Sequence, residues 1–142
     1  MTKMFNTFSV VGGAVGGLIV SLFGGWDVML HTILLFCILD YITGIIKAIY
    51  KKELSSEIGF KGIAKKIMIF IVIAVAYSIQ NMTGDTIALR EIVIVFFICN
   101  EALSILENAA EFIAVPQQLK DVLLQLRDKN ADTAENKDES ED

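Results

Sequence analysis

Proline occurs once in the 142 residues, at Pro116, and histidine once, at His31. Cysteine occurs twice, at Cys37 and Cys99, without CxxC spacing and without a histidine nearby. Such scarcity gives no support for a zinc or dithiol motif, so no metal or cofactor is expected. Both thiols fall in apolar segments and read as small buried hydrophobes. Catalytic signatures are also lacking: no nucleophile–base pairing stands out, and the GGAVGG run at 12–17 is not followed by a Lys-Ser/Thr pair. The chain is therefore not expected to be an enzyme. Basic residues are too few and too gathered for nucleic acid, with 12 Lys and Arg against 17 Asp and Glu; a nucleic-acid binder should show a basic face or stripe. Much of the acid lies in residues 128–142.

Apolar sequence is abundant. Hydrophobic residues make up 54% of the chain before its ten glycines are counted. With glycine the share is roughly 61%, against about 45–50% for an average soluble domain. The excess is segregated into runs long enough to cross a hydrocarbon core, which takes roughly 20 helical residues. The reading is an all-α integral membrane protein with three to four transmembrane helices. The expected spans are 5–23, 28–49, 63–79 and 86–108, making residues 1–115 one transmembrane domain; the first segment is the one that could instead lie in the interface. Lys3 before an apolar run resembles a signal peptide, but further spans follow, so a first membrane helix is expected. After Pro116, Leu119, Val122, Leu123 and Leu126 recur at i, i+3, i+4 and i+7. That predicts a short amphipathic helix over 116–127 resting on the membrane surface. Residues 128–142, acidic and without periodicity, are expected to be a disordered tail.

Orientation follows from lysine. Lys47, Lys51, Lys52, Lys61, Lys65 and Lys66 gather around the second connection, whereas the first and third hold only Arg90. The positive-inside rule places this basic loop, and with it both termini, in the cytoplasm.

Several residues are candidates for function. Ser9, Gly13, Gly17, Ser21 and Gly25 are spaced by four, with Gly12 and Gly16 beside them. On a helix they form a ridge of small residues that lets backbones approach closely, within one chain or between copies. Asn100, Ser104, Glu107, Asn108 and Glu111, with Glu101 alongside, form a polar stripe on an otherwise apolar helix. A carboxylate at mid-bilayer costs about 2.5–3.5 kcal/mol on insertion scales. The stripe is therefore expected to line a water-accessible surface in an assembly or to make self-contained contacts inside the bundle, with Glu107 and Glu111 at the cytoplasmic boundary, where the cost is small, as the simpler alternative. Asp40, inside the second span, is a functional candidate by default; it is equally a structural partner for Lys47, Lys65 or Lys66. His31, near the outer interface, is assigned no role.

Three stretches together carry a resemblance: Leu39–Lys47 (LDYITGIIK), Ser55–Lys66 (SSEIGFKGIAKK), and Asn100–Asn108 (NEALSILEN) followed by Pro116 and Leu119. This pattern resembles the phage holin family that also contains clostridial toxin-secretion holins. Asp40, Gly44, Ser56, Gly59, Gly62, Lys66, Asn100, Glu101, Ser104, Glu107, Asn108 and Pro116 match it by position. The chain departs from it between Asn108 and Pro116, where members often have a glycine and this sequence has none. The resemblance implies a protein that oligomerises in the host cytoplasmic membrane and forms timed lesions. These depolarise the membrane and release an endolysin, a functional partner that need not touch the chain. A holin-like secretion pore for a toxin, or a small accessory subunit of a larger membrane complex, are the alternatives. Met4 offers a second start; initiation there would remove Lys3, whose charge resists crossing an energised membrane at about 2.3 kcal/mol per 100 mV.

Overall fold

The computed structural model describes residues 1–138, and among these it is helical with no strand. The helices are α1 (Thr2–Ser21), α2 (Val28–Tyr50), α3 (Ser56–Met82), α4 (Leu89–Ala109) and α5 (Gln117–Asp138). Three of them, α1, α2 and α3, are long and apolar enough to cross a membrane. α4 has the length, at 21 residues, but carries Arg90, Glu91, Glu101 and Glu107. By composition it is thus α4, and not α1, that falls outside this group.

Local chemistry sets the helix starts. Asp27 caps α2 by accepting the Leu30 N–H at 2.8 Å, and Ser55 caps α3 by accepting the Ile58 N–H at 3.2 Å. The Ser55 cap starts α3 seven residues before the expected Ile63, so the connection shrinks to residues 51–55. Lys61, Lys65 and Lys66 therefore ride on α3, and Lys47 on α2, rather than in a loop. At 27 residues α3 is about 40 Å long, more than a hydrocarbon core needs.

α4 is the hub of the bundle. It packs against α2, α3 and α5, while α2 and α3 touch each other only slightly. Ion pairs join the α2 and α4 ends in matching order, Asp27 to Arg90 and Lys51 to Glu111, so the two helices run parallel with α3 antiparallel. The core is small: Leu30, Ile33 and Cys37 from α2, Ile69 and Ile73 from α3, and Ile94 from α4. Outside it, large apolar side chains such as Ile42, Ile46, Ile67 and Val75 are about half exposed. A water-soluble bundle would bury such surface; lipid is the solvent that suits it.

α1 stands alone, and α5 runs past its expected end. α1 touches no other helix and has no buried residue. The leucine periodicity predicts that α5 ends near Arg127. Instead it turns back along α4 and continues to Asp138. Residues 128–138, read as tail, contain neither glycine nor proline to stop the helix; the rest of that stretch, 139–142, lies outside the described residues.

Candidate functional site: ion pairs inside an apolar bundle

Lys66, eleven residues into α3, lies midway along the bundle with its ammonium group between two carboxylates. Lys66 Nζ donates to Asp40 Oδ2 of α2 and to Glu101 Oε2 of α4, tying the three helices together. The Lys66, Asp40 and Glu101 side chains are 13%, 11% and 1% exposed. Lys65 Nζ lies 3.9 Å from Glu101 Oε1 with most of its side chain exposed. Asn108 donates from Nδ2 to Asp40 Oδ1 at 3.3 Å and to Thr43 Oγ1 at 3.1 Å. Of the three lysines considered for Asp40, Lys66 reaches it. Every lone pair used here belongs to a group that would be costly unpaired in a low-dielectric interior.

Two glycines of the matched motifs have a physical reason in this contact. A Cβ at Gly62 would meet the Tyr41 ring at 3.1 Å, and one at Gly59 would lie 3.5 Å from the Tyr41 hydroxyl. Gly62 thus lets α3 approach α2 beside the triad. Ser104 lines two cavities, of about 220 and 350 Å³, that flank the triad. Asn100 and Glu107 line the larger one, which Arg127 of α5 also borders. At the helix ends beyond, Glu111 accepts from Lys51 at 3.0 Å and lies 3.5 Å from Lys47. The Lys51 ammonium holds the Glu111 carboxyl below the usual carboxylate range. Lys52, Lys61 and Ser56 are exposed near the same end.

The opposite end is organised by Arg90, which sequence reasoning used only for topology. Its guanidinium donates to Asp27 Oδ2 at 2.8 Å, to Glu91 Oε1 at 3.3 Å and to the carbonyls of Phe23 and Gly25. Its backbone N–H donates to Gln80 Oε1 at 2.8 Å. One residue therefore fixes the α1–α2 turn and the α2 cap through its side chain and the end of α3 through its backbone N–H. Gly24 and Gly25 have φ of 85° and 94°, and a Cβ on Gly24 would come within 2.8 Å of Arg90 Nε. The Arg90 hydrogen bond holds the Asp27 carboxyl below the usual aspartate range, against a smaller effect of burial. The signal available in the sequence is a lone arginine opening an apolar helix and a lone aspartate in the first connection, at the same end of the bundle.

The small-residue ridge stands apart from this network. Ser9, Gly12, Gly13, Gly16, Gly17 and Ser21 are exposed on α1, and a Cβ at any of those four glycines would meet nothing within 4 Å. Gly25 falls beyond the helix end, in the turn. Met4, the second possible start, is exposed in the first turns of α1. Cys37 and Cys99 are buried free thiols, and no group of residues that could hold a metal occurs among the described residues.

Residues 17–128 match the bacteriophage holin family. Among relatives, the chain is 42% identical over 118 residues to a 14.9 kDa Clostridium perfringens protein from the nagH 3′ region, covering 82% of this chain and 89% of that one. It is 41% identical to protein Lin0175 of Listeria innocua, over 92% of this chain and 91% of the relative. It is 34% identical to a protein of Bacillus phage phi105 named as a probable holin, over 78% and 83% of the two chains. No solved structure matches. That family match covers most of the sequence, and the named phage relative agrees with it: the chain belongs to the bacteriophage holin family.

Proposed function

We propose that this protein is a holin that accumulates in the host cytoplasmic membrane, assembles into oligomers and opens a timed lesion through which an endolysin escapes. The observation that carries this reading is the buried Asp40–Lys66–Glu101 triad inside a bundle whose exterior is apolar. A single copy can sit quietly in lipid because its charges are partnered within the chain. An assembly can exchange those partners for water, turning Asp40, Asn100, Glu101, Ser104, Glu107 and Asn108 toward a lumen. α5 supports the same polarity, since its Arg127 stands beside the α4 stripe and a charged helix there cannot face acyl chains.

The ridge on α1 supplies the contact between copies, for it is exposed along its length and has no partner in its own chain. α4, parallel to α2 and of similar length, completes four spans. The gathering of lysines at one end, with Arg90 alone and neutralised at the other, supports an orientation with both termini in the cytoplasm. Initiation at Met4 would give a second product lacking Lys3.

Co-expression tests this directly. With a cell-wall-degrading endolysin present, the chain should release a cytosolic reporter enzyme and lyse the culture after a quiet interval; without endolysin, turbidity should hold. Lysis by the chain alone, or stable stoichiometric capture of a larger membrane complex with no toxicity, would point to a different protein.

A further inference from the structure

Each triad residue has an isoleucine seven positions away on its own helix, toward the Arg90 end: Ile33 for Asp40, Ile73 for Lys66 and Ile94 for Glu101. Seven residues are two turns, about 10 Å along the axis, and keep the same face. All three isoleucines are 0% exposed. The bundle therefore stacks a dry layer directly on a charged one. Beside the triad and on its other side the packing opens, the larger cavity reaching up to Ile69 and Phe97, one turn short of the isoleucine layer. The 220 Å³ cavity is walled by Asp40, Lys66 and Asn108, the 350 Å³ cavity by Asn100, Glu101 and Glu107, and Lys65 and Ser104 border both. Each has space and polar partners for several waters.

We propose that the inner half of a single bundle is a water-filled vestibule that brings water and small hydrophilic solutes to the triad, closed toward the outside by the Ile33–Ile73–Ile94 layer. The asymmetry makes the triad addressable from the cytoplasm alone while the chain is quiescent. An apolar constriction of this kind blocks passage by staying dry. This rests on the proposed orientation of the helices and not on lysis, so it can fail while the holin reading stands, and the reverse.

The test is labelling by a positively charged, membrane-impermeant methanethiosulfonate, in a full-length chain carrying Cys37→Ala and Cys99→Ala. Ser104→Cys should be modified in inside-out vesicles and not in right-side-out ones. Ile73→Cys should be modified in neither, and both should react after denaturation in detergent. If Ser104→Cys does not accumulate, Glu107→Cys on the larger cavity takes its place. Protection of the vestibule cysteine from the inner side, reaction from the outer side, or native labelling of Ile73→Cys would each overturn the proposal.

Discussion

Lys66 of α3 answers carboxylates from two other helices with one ammonium group, and the cost of removing it follows from what is left behind. Lys66→Met would strand Asp40 and Glu101 as buried like charges. It should lower stability by about 3–5 kcal/mol, the usual cost of breaking a buried pair from one side. The triple variant Lys66→Met with Asp40→Leu and Glu101→Leu should recover most of that loss, because no uncompensated charge remains. Thermal unfolding in detergent separates the two, and equal destabilisation of both would show that packing rather than charge matters there. At the other end Asp27 has a depressed pKa through Arg90, so its contribution is complete above the ordinary aspartate range and is lost as pH falls through the lowered value. Asp27→Asn should therefore flatten the acid limb of a stability–pH curve measured in the same detergent; an unchanged limb would remove Asp27 from the account.

At the scale of elements, hydropathy locates the apolar helices well because the bilayer fixes their length, and the α2 limits fall within one residue of those expected. α3 shows what hydropathy misses. Its first two turns are polar enough to read as loop, yet Ser55 caps them and Lys66, a turn further on, ties α3 to α2 and α4. Arg90 was opaque for another reason: Asp27, its partner, is 63 residues away, and no local spacing announces such a pair. The return of α5 along α4 is likewise a tertiary outcome, not carried by its own periodicity. α1 poses the reverse case, a pattern evident in sequence with no partner inside the chain. Gly13→Leu with Gly17→Leu should leave the fold of α2 to α4 intact, since a Cβ at either position meets nothing. It should delay or abolish lysis at normal protein level by blocking close approach between copies. Normal timing would remove the ridge from the mechanism.

For the whole molecule, the charges are arranged in three tiers, Arg90 with Asp27, then the Lys66 triad, then Lys51 with Glu111, separated by apolar packing. The middle tier is what a membrane protein would shed if its only task were to be stable, since a buried ion triad is often no better than apolar side chains of similar volume. Keeping it makes sense in a chain that must live in lipid first and open a passage for water later. The most direct measurement is membrane potential, followed continuously in bacteria induced to express this chain without endolysin. The account predicts an undisturbed potential while protein accumulates, then an abrupt collapse, with the triple triad variant accumulating but holding its potential. A potential that stays level at high expression of the native chain, or drifts down in proportion to protein from the start, would contradict it.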